Sequence, residues 1–110
     1  MYRIVHKQSF DLIYDSETAS HLRAIERKFH SLIRATIEEQ LTFEPNVETT
    51  NRKPLERPIA FGARWELRFG PKNRFRVFYR VREEKREVYI LAIGVKERNK
   101  LYIGGKEFIL

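Results

Sequence analysis

The chain has 110 residues and no cysteine, and carries a net charge of +7 with a pI near 9.9. One domain of this length can build a core unaided, while the missing cysteines exclude disulfides, thiolate metal sites and a thiol nucleophile. No run approaches the roughly 20 apolar residues of a membrane span, and the N-terminus lacks the apolar stretch of a signal peptide, so a soluble cytoplasmic protein with no membrane partner is expected.

In chain order, Ser9 to Tyr14 alternates as a first strand, with Phe10, Leu12 and Tyr14 on one face. Asp15 or Ser16 is suited to cap a helix, because a short side-chain oxygen accepts from free first-turn amides. Apolar positions then recur at helical spacing through Ala19, Leu22, Ile25, Phe29, Leu32, Ile33, Thr36, Ile37 and Leu41. A break near Arg27 and Lys28 predicts a helical hairpin, although one bent helix fits the same pattern. Pro45 ends the second helix, and the polar segment 46–58, with Pro54 and Pro58, reads as a surface loop.

Three strands follow: Arg64 to Phe69, Arg74 to Val81 and Glu87 to Val95, joined at Gly70-Pro-Lys-Asn73 and Glu83-Glu-Lys-Arg86. Gly94, Gly104 and Gly105 punctuate the end of the sheet and the tail. The order predicts an α+β domain, with an N-terminal strand, a helical hairpin and three antiparallel strands, the helices packed on one face of a small antiparallel sheet.

Charge is unevenly spread. Residues 51–100 hold 15 Lys and Arg against 6 Asp and Glu, whereas residues 1–50 hold 6 against 8. This asymmetry favours a polyanionic partner over a merely solvated face. Strand alternation places Trp65, Leu67 and Phe69 opposite Glu66 and Arg68, and Phe75, Val77, Tyr79 and Val81 opposite Arg74, Arg76 and Arg80. The sheet is thus expected to bury one side and offer the other to phosphates, which guanidinium groups bind bidentately. Lys96, Arg98 and Lys100 add cations after the last strand, and Lys72 adds one in the first turn. Tyr102, beside them, either moves a proton, stacks on a base, or packs on the sheet with a wet hydroxyl.

Cleavage of RNA by its own 2′-hydroxyl needs a base, an acid and positive charge around the phosphate. His6, His21 and His30 all lie in the N-terminal segment or on the helices. They are expected at the helix surface, so a paired-histidine ribonuclease site is not indicated. Walker, HExxH and G-x-S-x-G motifs are missing from the sequence.

The run Trp65-Glu-Leu-Arg-Phe-Gly-Pro-Lys-Asn-Arg-Phe-Arg-Val-Phe-Tyr-Arg-Val81, then Val88-Tyr-Ile-Leu-Ala-Ile-Gly-Val-Lys-Glu-Arg98 and Leu101-Tyr102, resembles the RelE/ParE-type toxins of bacterial toxin-antitoxin modules, RelE-like branch. The likeness starts near Phe10 and leaves residues 1–9 as an N-terminal extension. It implies an mRNA interferase, a ribosome-dependent endoribonuclease working on messenger RNA without metal or cofactor and silenced by a cognate antitoxin. Carried over by position, it implies phosphate binding at Arg76, the basic residue of the preceding strand at Arg68, cations at Lys96 and Arg98, and proton transfer at Tyr102. Glu66 stands where some ribonuclease members have a lysine, which implies either weaker substrate binding or a general base. Arg74, Arg80, Lys100 and Lys72 are expected to contact RNA. The ParE branch implies instead a gyrase inhibitor without nuclease activity, and a relic that only binds an antitoxin is the third expectation.

Overall fold

A computed structural model describes residues 8–57, 59 and 61–109. Most of the expected N-terminal extension, including His6, lies outside the described residues, as does Pro58. No helix among the described residues is long and apolar enough to cross a membrane.

Strand β1 (Asp11–Tyr14) leads to a short helix α1 (Thr18–Arg23), a 3-10 turn at Arg27–Phe29 and the main helix α2 (His30–Leu41). The break near Arg27 is where the sequence placed it, but α1 is only 6 residues long. The expected cap by Asp15 or Ser16 is not made: Glu17 occupies the N-cap without a side-chain bond, and Asp15 accepts from the Glu17 amide at 3.0 Å in the turn before it. Ile33, Ile37 and Leu41, one helical turn apart, bury the stripe of α2 that faces the sheet, while Ala19 and Leu32 of the expected apolar face are exposed.

The sheet holds β2 (Arg52–Pro54), β3 (Trp65–Phe69), β4 (Phe75–Arg82), β5 (Glu87–Glu97), β6 (Lys100–Ile103) and β7 (Lys106–Phe108) in that spatial order. All these neighbours run antiparallel, and β1 joins β5 in parallel, pairing Asp11 with Glu87 through Tyr14 with Ile90. The α+β architecture stands as expected, but the sheet is larger. The segment read as a loop contains β2, and the tail forms β6 and β7.

In β5 the apolar positions facing the helices are Val88, Ile90, Ile93 and Val95, with a three-residue step in the middle. A bulge absorbs the step: Phe78 pairs with Ala92 and Tyr79 with Ile90, so Leu91 is the extra residue. Both ends of β5 thereby keep their hydrophobes against Phe75, Val77, Tyr79 and α2.

The opposite face is not given over to cations. Phe78, Ala92, Leu101, Ile103 and Ala63 form a second apolar cluster there, covered by Leu55, Ile59, Phe61 and Phe108. Half of the face expected to meet an anion is therefore core, and the cations concentrate at one end of the sheet.

Tyr79, fully buried, donates its hydroxyl to the Pro45 carbonyl at 2.7 Å, pinning the end of the α2 segment to the sheet. Burial holds its phenol protonated well above the usual range. Tyr79→Phe leaves the Pro45 carbonyl without that donor, and should lower unfolding free energy by about 1–3 kcal/mol, read from the shift in urea midpoint.

Candidate functional site

The cations meet where the β3–β4 turn approaches the β5–β6 turn. In the first, Gly70 (φ 81°) lets the chain fold back over Phe75, and Lys72 and Asn73 also take positive φ. In the second, Arg98 (φ 51°) and Asn99 (φ 66°) are the two central residues of a tight hairpin turn. Between the turns lies an open cleft of about 530 Å³ lined by Pro71, Lys72, Arg74, Arg76, Lys96 and Arg98, with Glu97 and Asn99. Five cations face a single acid.

A depression of about 210 Å³ adjoins it, shares Arg76, Lys96 and Asn99, and adds Glu66, Lys100, Leu101, Glu107, Phe108 and Ile109. Arg68 and Arg76 are cross-strand partners, and Glu66 lies between them. Its Oε1 accepts from Arg68 Nε at 2.7 Å and its Oε2 from Arg76 Nη1 at 3.1 Å. Arg76 Nε also donates to the Asn73 carbonyl at 2.9 Å. Lys100 approaches Glu107 at 3.9 Å. Among the described residues, Lys72, Lys96 and Arg98 make no ion pair, and all three are exposed.

Arg68 lines neither hollow and meets the site through its bond to Glu66, and three further expected site residues leave the row of arginines or its face. Arg74 leaves the row of arginines: its guanidinium lies 5.2 Å over both the Phe29 and Phe75 rings on the helix side and pairs with Glu97 at 3.1 Å. It still lines the cleft, which wraps around the end of the sheet. Arg80 lines neither hollow and sits over the Tyr89 ring, about four residues, or roughly 13 Å, further along β4 from Arg76.

Tyr102 pairs with Val95 and so shares its helix-side face, opposite Arg76 and Lys96. It lines a separate hollow of about 190 Å³ with His21, Glu97, Gly104 and Gly105. Of the three readings of this tyrosine, proton transfer in the cation cleft is not the one its placement favours.

His21 and His30 are not simple surface residues. His30 Nε2 lies 2.8 Å from the Ile25 carbonyl. The outer edge of β5 is used by β1 as far as Ile90 and by β6 from Gly94, and in the gap the Ile93 N–H donates to His21 Nδ1 at 3.3 Å. Burial lowers the His21 pKa from 6.5, against raising effects of Glu17 and Asp15. The unfolded chain then takes the proton first, and stability should fall as pH drops through about 6.5. His21→Gln is expected to flatten that part of the profile in urea titrations between pH 5 and 8.

Residues 21–108 match the family model described as Phage derived protein Gp49-like (DUF891). The chain belongs to this family. No curated protein matches the sequence. The structure of this Gp49-like protein is similar to a chain in the crystal structure of the toxin–antitoxin complex RelBE2 from Mycobacterium tuberculosis, with a TM-score of 0.59 and 17% identity, over 83% of this chain and 95% of that one. The RelE-type fold implied by the sequence is thereby borne out.

Alternation did not reveal Glu97 and Asn99 as parts of the cleft, nor the Asn73 carbonyl as an anchor of Arg76. Asn73 and Asn99 carried a signal, since asparagine is enriched at the positive φ that tight turns require.

Proposed function

We propose that this Gp49-like protein is the toxin of a toxin–antitoxin pair in the cytoplasm, and that it cleaves messenger RNA on the ribosome. The observation that carries the reading is the convergence of Lys72, Arg76, Lys96 and Arg98, from two turns and two strands, on one open cleft. Cations fixed around a phosphate stabilise the charge that grows on it as the 2′-hydroxyl attacks. Arg76 holds the non-bridging oxygens, Arg98 and Lys72 hold the flanking backbone, and the exposed Lys96 ammonium gives a proton to the departing 5′-oxygen while water takes the 2′ proton. Glu97 is the one acid in the cleft lining, and Arg74 engages it. Without a free base there, the isolated chain should cut naked RNA slowly and depend on the ribosome to align the 2′-hydroxyl. The structural neighbour's occurrence in a complex with its antitoxin supports a cognate antitoxin as partner.

Induced expression followed by primer extension on cellular transcripts tests the reading. Growth arrest with cuts inside translated frames is the expected result, and arrest with intact messages overturns it.

The engagement of Arg68 and Arg76 by Glu66, together with the position of Tyr102, favours a second reading, a toxin that binds without cutting. A gyrase inhibitor would give DNA breaks with intact transcripts. An antitoxin-binding relic would be harmless on overexpression.

A further inference from the structure

Glu66 is more buried than any other charged residue described, at 3% exposure. A carboxylate taken out of water at that depth loses several kcal/mol of hydration, which only close, well-aligned partners offset. Here both oxygens are engaged by guanidiniums of the two cross-strand arginines. Side-chain exposure falls from 41% at Arg68 to 11% at Arg76 and 4% at Glu66, so the acid is the most sequestered of the three.

Arg76 is consequently held at two points, by Glu66 on Nη1 and by the Asn73 carbonyl on Nε. A guanidinium has five N–H donors, and those not used in these bonds remain for a ligand in the cleft that Arg76 lines. A long side chain that would otherwise sample many rotamers is fixed in advance, so it need not reorganise as charge develops on the phosphate.

We propose that Glu66 is a positioning residue, which sets the guanidinium of Arg76 toward the cleft, and that it is neither the general base nor an internal mask over a phosphate site. The kinetic part of this rests on the nuclease reading above; the positioning itself does not. A base must be reachable by the proton it removes; Glu66 lines the adjoining depression and not the cleft, is 3% exposed, and has both oxygens bonded to guanidiniums. A mask would lie in the cleft itself, which Glu66 does not line.

The test uses the full chain and its Glu66→Gln variant with three measurements: the Arg76 Nε–H resonance, cleavage kinetics on programmed ribosomes, and binding of a 2′-O-methyl oligonucleotide that cannot be cut. The variant should broaden the Arg76 resonance and lower kcat by about 10²-fold, the cost of misplacing a group near the reacting centre. It should leave KM and oligonucleotide affinity within about threefold and leave the shape of the pH–rate profile unchanged. Loss of a wild-type acid limb with a sharp Arg76 resonance would mean a general base and overturn the proposal. So would a tenfold gain in oligonucleotide affinity, the mark of a mask.

If Glu66→Gln does not fold, the double variant Glu66→Gln with Arg68→Gln removes one charge of each sign and takes its place. A broad Arg76 resonance is expected there, whereas wild-type kcat would assign Glu66 a charge-balancing role and overturn positioning. Should the wild-type chain cut no transcript, the nuclease reading fails by itself. The Arg76 resonance still decides whether Glu66 orders that side chain.

Discussion

Arg76→Ala should abolish growth arrest and lower transcript cleavage by about 10²–10³-fold, the effect of deleting one preorganised donor from a site of developing negative charge. Arg76 earns this expectation because, among the described residues, it is the only arginine lining both hollows, and its orientation is fixed by Glu66 and Asn73. Truncation removes the partner of Glu66 Oε2 and costs some stability, but Arg68 still bonds Oε1 at 2.7 Å and the buried acid keeps a counterion. The variant should therefore melt cooperatively, and circular dichroism alongside the growth assay separates lost chemistry from lost fold. Arg76→Lys keeps the charge but not the planar fork that reaches Asn73, Glu66 and a ligand together, so it should recover little. Lys72→Ala, at an exposed position without an ion pair among the described residues, should weaken binding only modestly.

Gly70→Ala is expected to be the most disruptive single-methyl change. Gly70 has φ 81° and ψ −178°, a region nearly closed to residues with a Cβ, which costs about 1–3 kcal/mol. An added Cβ would also lie 2.4 Å from Phe75 Cδ2, inside the buried ring, and such overpacking costs about 1–3 kcal/mol more. Together these approach a large share of the roughly 5–15 kcal/mol that holds a domain folded. The urea midpoint should fall sharply. Because the same turn carries Lys72 and the Asn73 carbonyl that anchors Arg76, activity should decline even where the protein remains folded.

Much of the fold was legible because β3 and the first part of β4 alternate cleanly, and Leu67, Phe69, Phe75, Val77 and Tyr79 are buried as that pattern requires. The rest was obscured for identifiable reasons. Arg74 precedes β4, and two-residue periodicity says nothing about a side chain outside the strand; the aromatic rings of Phe29 and Phe75 drew it to the other side. Both proximity in sequence and the family resemblance set Tyr102 with the cations, although a two-residue turn at Arg98–Asn99 fixes parity, pairing Lys96 with Leu101 and Val95 with Tyr102. β2 and β7 are three residues each, too short for a period to show. Alternation put Glu66 on the face of Arg68 and Arg76, but not how closely the three converge. The bond from Ile93 to His21 arises only when α1 docks on β5, so no local pattern announces it.

Six of the seven strands, β2 to β7, lie side by side in chain order, so they form a meander in which each closure spans a short stretch. The exception is β1, whose Asp11 meets Glu87 only after everything between has found its place. Loop-closure entropy rises with the separation of the paired ends, and distant pairings slow folding. The meander can zip up first as a self-contained platform, with the strand–helix arm latching on as the final step. Amide protons of Leu12 and Ile13 should then exchange ahead of those in β4, and a chain emerging N-terminus first during synthesis would hold β1 unpaired until most of its length had been made.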